Sequence, residues 1–222
     1  GQLGVAAPTS SATPIVVPGL VGVTSLALGD DFSCARLGDR TVSCWGSDSF
    51  GQLGGGTITE SARATPAVVV GLADVATIAA GDWHVAAIRE GGELMFWGRN
   101  NVGQLGDGTS IDRPAPVAVF GIAGASSVSA GNQHSLATLA DGTVAGWGGN
   151  NTFGPLGDGT LADRSRPVTV VRENGAGALN SNNWYLDLAP ATVCSDWLKT
   201  GGYGRGARMY EALLARMDAM GL

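Results

Sequence analysis

Apolar and polar positions along the chain alternate in short runs that never extend to the spacing of a long helix until the last twenty residues. A representative run is Ser135-Leu136-Ala137-Thr138-Leu139, where every second residue is apolar, the period of a half-buried strand. A three-residue turn follows, and then a second short strand that closes in Trp-Gly at 45–46, 97–98 and 147–148. The turns are Gly38-Asp39-Arg40, Glu90-Gly91-Gly92 and Ala140-Asp141-Gly142. Turns of this length with glycine read as hairpins, because glycine accepts the positive φ that other residues resist. Ahead of each hairpin lie a Pro-and-Val segment (Pro14–Val17, Pro66–Val70, Pro116–Phe120), a glycine turn, and an apolar run ending at Gly29, Gly81 or Gly131. Each pass therefore predicts four strands and no helix.

The passes are copies of one another. The Trp-Gly pair recurs after 52 and then 50 residues. The stretch after it repeats as Gly51-Gln52-Leu53-Gly54, Gly103-Gln104-Leu105-Gly106 and Gly154-Pro155-Leu156-Gly157, with a lone first copy at Gly1-Gln2-Leu3-Gly4. A period near fifty residues with four strands predicts propeller blades. The expected fold is all-β: a partial, open β-propeller of four-stranded antiparallel blades over residues 1–171. It comprises an incomplete copy at 1–13 and full passes at about 14–57, 66–109 and 116–160. Three full passes are fewer than a ring needs, so the chain reads as a piece of a ring. Its open strand edge calls for further blades or another chain.

The pattern breaks after Val171. A polar Gly/Asn-rich stretch leads into a divergent tail, 172–222, in which Tyr210, Leu213, Leu214, Met217 and Met220 share one face of an amphipathic helix at about 205–220. The tail is either a cap over the last blade or a non-native extension.

Composition agrees with short strands and tight turns: glycine supplies 36 of 222 residues and charged residues only 14%. A net charge of −6 argues against a nucleic-acid partner, whose binders carry a basic face. No apolar run is long enough to span a bilayer, and a leader peptide cannot be read from a chain whose first residue lies inside a repeat.

Of the three cysteines, Cys34 and Cys44 lie five residues either side of Asp39 and so face each other across a hairpin. The equivalent pairs are Ala86 with Phe96 and Leu136 with Gly146. Two readings fit: a cross-strand disulfide, which implies an oxidising compartment, or two buried thiols.

Chemistry is sparse. His84 and His134 occupy equivalent positions on adjacent blades and point in parallel, so neither a metal pair nor a catalytic dyad is expected; each is read as hydrogen-bonded within its own blade. The first pass has Phe32 there. Trp45, Trp97 and Trp147 read as blade-packing residues. Gly106–Thr109 and Gly157–Thr160 superficially resemble calcium loops but lack the spaced acidic ligands, so they read as turns. Gly201–Gly206 lacks the Lys-Ser/Thr of a phosphate loop. No catalytic residue, metal or cofactor is expected.

The ordered set Gly131-x-x-His134-Ser135-x-Ala137-x-x-x-Asp141-Gly142-x-Val144-x-x-Trp147-Gly148, with Gly103-Gln104-Leu105-Gly106-Asp107-Gly108-Thr109, resembles the regulator of chromosome condensation repeat. The resemblance covers about residues 1–170 and implies a β-propeller, usually of seven blades. Family activities range over guanine-nucleotide exchange on a small GTPase, ultraviolet sensing by clustered tryptophans, and secreted inhibition of β-lactamases. The paired cysteines and the Ala/Gly-rich wording are more similar to bacterial extracytoplasmic members, so an extracellular or periplasmic site is expected, with the cytoplasm as the alternative. Fold alone does not choose among these functions.

What varies between copies is surface. The loops after Gly29, Gly81 and Gly131 and those after Trp-Gly are expected to share one rim, opposite the hairpin turns. Variable loops on a rigid scaffold are where binding sits. The rim residues singled out are Asp31, Asp82, Trp83, Arg99, Asn100, Asn132 and Gln133, with Trp83 and Arg99 of the types favoured as interface anchors. The expected function is a non-catalytic protein-binding scaffold with a partner of unknown identity. The alternatives are a guanine-nucleotide exchange factor, a structural piece of a larger surface protein, or a solvated rim with no partner.

Overall fold

A computed structural model describes residues 1–7, 10–59, 61–150 and 154–171. The helix expected at about 205–220, the glycine-rich stretch 201–206 and Cys194 lie outside the described residues. Among the described residues twelve strands form three antiparallel four-stranded sheets, each a simple meander in chain order. Blade 1 contains β1 (Val23–Leu28), β2 (Phe32–Leu37), β3 (Val42–Gly46) and β4 (Arg63–Val68). Blade 2 contains β5 (Val75–Ala80), β6 (His84–Arg89), β7 (Leu94–Gly98) and β8 (Arg113–Ala118). Blade 3 contains β9 (Ala125–Ala130), β10 (His134–Leu139), β11 (Val144–Gly148) and β12 (Arg164–Thr169). The described part is thus a run of propeller blades, as the repeat predicts.

The blades are offset from the passes of the sequence. The Pro-and-Val segment that opens a pass is the outermost strand of the preceding blade, β4 or β8, not the first strand of its own. Proline suits that place, since an outer strand has one side without a ladder to donate to. Pro14–Val17, the equivalent segment of the incomplete first copy, is not a strand. Among the described residues no strand pairs with it.

Hairpin registers match the sequence reading. Cys34 pairs with Cys44, Ala86 with Phe96, and Leu136 with Gly146. Cys34 and Cys44 form a disulfide, and both are fully buried. The three-residue turns need a left-handed residue at the last position: Gly92 at φ 80°, Gly142 at φ 83°, and in blade 1 Arg40 at φ 66°.

The core lies between blades. One cluster joins Phe32, Cys34, Cys44 and Val69 of blade 1 to Val75, Ile78, Val85 and Trp97 of blade 2. A second joins Ala86, Ile88, Phe96 and Val119 to Ala125, Ala137, Ala145 and Trp147 of blade 3. The repeated phrase stitches this interface. Each buried Trp indole donates to the carbonyl of the glutamine one phrase earlier: Trp45 to Gln2 at 2.9 Å, Trp97 to Gln52 at 2.9 Å, Trp147 to Gln104 at 3.0 Å. The glycine closing each phrase is required there. A Cβ on Gly54 would lie 3.1 Å from the Trp97 indole nitrogen, and one on Gly106 would lie 2.8 Å from that of Trp147. Backbone bonds tie the hairpin-turn ends together in the same way, Val75 N–H to Arg40 C=O and Ala125 N–H to Gly92 C=O.

Candidate functional site

The two sets of variable loops do share one rim and are bonded to each other. Ser47 N–H donates to Asp31 C=O, Arg99 N–H to Trp83 C=O, and Gly149 N–H to Gln133 C=O, at 2.9, 3.0 and 2.7 Å. Adjacent inner loops are also joined, Asp30 N–H donating to Asp82 C=O at 3.0 Å. The rim is therefore a braced surface.

At the junction of blades 1 and 2 three loops converge on an aromatic–cationic cluster. Phe50, from the β3–β4 loop, meets Trp83, from the β5–β6 loop, edge to face with ring centroids 5.5 Å apart. The Arg99 guanidinium, from the β7–β8 loop, sits 4.7 Å over the Phe50 ring. All three are half-buried. Among the described residues the Arg99 side chain makes no hydrogen bond or ion pair. The same positions at the junction of blades 2 and 3 hold Val102, Gln133 and Gly149. The repeat thus supplies its own control: one scaffold, with an aromatic–cationic set at one junction and a set with neither aromatic ring nor charge at the next.

The outer loops take their shape from one buried residue apiece. Asn100 is fully buried, its Oδ1 accepting Leu105 N–H at 3.0 Å. Its Nδ2 donates to Asp107, to the carbonyl of Thr109 and to that of Ile111. This corrects the expectation that Asn100 meets a partner: it is consumed by the loop, as Asn150 is in blade 3. The Gly-Asp-Gly-Thr segments are turns, with Asp107 paired to Arg113 and Asp158 to Arg164. Burial pushes the Asp107 carboxyl up, but the bonds from Thr109, Arg113 and Asn100 outweigh it and hold it below the usual carboxylate range. Blade 1 relocates this charge: Asp48 stands in place of the asparagine and Gly55 in place of the aspartate. Asp48 Oδ1 accepts Leu53 N–H while its Oδ2 accepts the Thr59 hydroxyl.

The other rim residues divide by exposure. Asp31 and Asn132 are exposed, whereas Asp82 and Gln133 are half-buried. Asn132 Nδ2 reaches Asp82 Oδ2 across the blade boundary at 2.5 Å. Phe50 and the fully buried Gln52 were missed by the sequence reading. The signal for Phe50 was an aromatic residue in the one outer loop facing Trp83.

His84 corrects a second expectation. Its bond is not within its own blade but across to blade 3, Nε2 lying 3.0 Å from Ser135 Oγ. The Ser135 hydroxyl has one proton and gives it to Gln104 C=O at 2.9 Å. Ser135 must then accept from His84, which fixes the neutral Nε2–H tautomer and leaves buried Nδ1 without a partner. Complete burial, with a smaller contribution from His134, lowers the His84 pKa to about 3. Burial also lowers that of His134. In blade 1 the equivalent residue is Phe32, and the residue of blade 2 equivalent to Ser135 is Val85. Polar meets polar at one junction, and apolar meets apolar at the other. His84 is an interface residue. Among the described residues no three His, Cys, Asp or Glu side chains gather as a metal site, and no described helix could cross a membrane.

Comparison with known proteins agrees with this architecture. Two family models of the regulator of chromosome condensation (RCC1) repeat match, one at residues 41–88 and 91–138, the other at 23–52, 75–104 and 125–154. The chain is 36% identical over 120 residues to the human E3 ubiquitin-protein ligase HERC2, covering 51% of this chain and 2% of that protein. It is 32% identical over 115 residues to the Arabidopsis thaliana ultraviolet-B receptor UVR8, covering 51% and 26%. The crystal structure of Prp20p from Saccharomyces cerevisiae, described with its binding properties to Gsp1p and histones, superposes with a TM-score of 0.63 at 25% identity, covering 70% of this chain and 40% of that one. Human WBSCR16 superposes with a TM-score of 0.59 at 25% identity, covering 67% and 39%. The chain spans only 2% and 26% of the length of these two curated relatives. From its repeats, its blades and these matches, the chain belongs to the regulator of chromosome condensation repeat family.

Proposed function

We propose that this chain is a non-catalytic protein-binding propeller segment that engages its partner through the rim at the junction of blades 1 and 2. One observation carries the reading: Phe50, Trp83 and Arg99 gather at that junction, whereas the equivalent positions of the next hold Val102, Gln133 and Gly149. Trp and Arg in a braced, partly desolvated setting are the residues on which interfaces concentrate their energy. Asp31, Asp82, Asn132 and Gln133 form the polar surround. Trp83→Ala and Arg99→Ala each remove an anchor without touching the stitching phrase. Each should weaken partner capture at least tenfold while thermal stability shifts little. Unchanged capture by both would count against the rim.

The disulfide supports placing the protein in an oxidising compartment, extracellular or periplasmic. Free-thiol labelling after unfolding without reductant tests this: Cys34 and Cys44 both labelled in full favours the cytoplasm instead. A second reading is guanine-nucleotide exchange on a small GTPase. Superposition on Prp20p favours it, and accelerated nucleotide release from a matched GTPase is its direct test.

A further inference from the structure

The rim cluster carries a specific chemical request, which becomes visible when its loop is compared with its sister. In the β7–β8 loop, Gln104 Oε1 accepts Val102 N–H at 3.0 Å, and its Nε2 donates to Asn101 Oδ1 at 3.1 Å. In the β3–β4 loop, Gln52 repeats the first half: Oε1 accepts Phe50 N–H at 2.9 Å, which fixes the amide orientation. The second half is missing, because position 49 carries serine where the sister loop has Asn101. Gln52 is fully buried and its Nε2 makes no hydrogen bond. A buried amide donor left unpaired costs about 1–3 kcal/mol, so an acceptor supplied from outside has that much to recover.

A second unpaired donor stands at the same junction. The Arg99 guanidinium is stacked on Phe50 and presents its planar edge with no carboxylate of the described residues on it. A stacked guanidinium is pre-oriented for two parallel bonds to a carboxylate, and stacking leaves those donors free. Phe50 thus links the two donors where the loops of blades 1 and 2 come together: its ring carries Arg99 and meets Trp83, and its backbone N–H holds the Gln52 amide. Nearby carboxylates do not occupy this place. Asp82 is turned toward Asn132 of blade 3, and Asp48 is committed to Leu53 and Thr59.

Resting on the proposed rim function, we infer that this junction is a carboxylate subsite: it takes an Asp or Glu side chain of the protein partner. One carboxylate oxygen takes the place that Asn101 Oδ1 holds in the sister loop and accepts from Gln52 Nε2. The other accepts from Arg99, while Phe50 and Trp83 pack the aliphatic stem. The exposed Asp30 and Asp31 on the inner loop repel a carboxylate from that side, which confines the acid to the Arg99 edge.

The probe is a set of three blocked pentapeptides, acetyl-Ala-Ala-Xaa-Ala-Ala-amide with Xaa as Glu, Gln or Lys, titrated into the full chain. The readout is the nuclear magnetic resonance signals of Arg99 Nε–H, the Gln52 side-chain amide and Trp83 Nε1–H. The Glu peptide should shift all three with saturable behaviour, and the Gln peptide at least tenfold more weakly. Arg99→Lys should lose most of the Glu preference, since an ammonium cannot offer the paired edge. Ser49→Asn is the decisive variant. It supplies the sister loop's internal acceptor, so it should raise thermal stability and at the same time weaken Glu-peptide binding. Equal shifts from Glu and Gln peptides, tighter binding of the Lys peptide, or unaltered binding by Ser49→Asn would each overturn the subsite. The wider rim reading would survive those results if Trp83→Ala still abolished partner capture.

Discussion

The clearest energetic statement concerns the His84–Ser135 bond between blades 2 and 3. Replacing Ser135 with valine, the residue that blade 2 has at the equivalent Val85, removes the only acceptor of His84 Nε2–H. A change of tautomer gives no relief, because Nδ1 is also without a partner. The Gln104 carbonyl loses the serine hydroxyl but keeps the Trp147 indole at 3.0 Å. The cost therefore falls on one buried unpaired N–H, about 1–3 kcal/mol. His84→Phe alone leaves Ser135 bonded to Gln104 as a donor and strands only its lone pairs, costing about 1 kcal/mol. The double variant recreates the Phe32/Val85 combination of the first junction, so the two effects should not add. A coupling of about 1–2 kcal/mol is expected, in the range found for directly bonded pairs. Urea unfolding of the four proteins measures it, and a parallel thermal series should show about 2–4 °C per kcal/mol for a chain of this size. Additivity within about 0.5 kcal/mol would refute the argument that these positions are read as a pair across the blade boundary.

Other perturbations follow from the same geometry. His84 is neutral in the folded chain down to about pH 3, whereas the unfolded chain protonates near 6.5. Between those values the unfolded state binds one more proton, so stability should fall by about 1.4 kcal/mol per pH unit as pH drops; His84→Phe should flatten that slope in acid unfolding curves. Gly55→Asp combined with Asp48→Asn restores the wording of blades 2 and 3. A Cβ at Gly55 has Arg63 Nη2 at 3.4 Å, so the new carboxylate should pair with Arg63 and raise the unfolding free energy by up to about 1 kcal/mol. Arg40→Gly removes a left-handed non-glycine residue at the cost of its exposed pair with Glu90. The release of about 1 kcal/mol or more of backbone strain should outweigh a surface pair, seen as a higher Tm.

Much of this fold is legible in the sequence because the repeat states it three times. The strand period, the hairpin turns and the Cys34–Cys44 register are local facts, set by alternation and by glycine at a left-handed position. What the repeat does not state is chiefly the set of contacts between blades, which no single copy contains. Trp97 and Gln52 lie in different copies of the phrase, yet they bond to each other, so what read as a device within a blade holds neighbours together. His84 was assigned to its own blade because Ser135 is 51 residues away. Asn100 looked like a surface residue because asparagine usually is one, and only the loop closing over it shows four of its bonds turned inward. Phe50 gains its meaning only beside Trp83 and Arg99, which belong to the next blade.

The account's central claim is that the repeated phrase is architecture and that recognition belongs to the rim where blades 1 and 2 meet. Site-specific photo-crosslinking tests it most directly, with p-benzoylphenylalanine placed at Ser49 on that rim or at Asp141 in a hairpin turn on the opposite one. The account predicts a crosslinked partner band from position 49 that disappears when Trp83→Ala is added, and none from position 141. Crosslinking from position 141 alone, or a band from position 49 that survives Trp83→Ala undiminished, would contradict it.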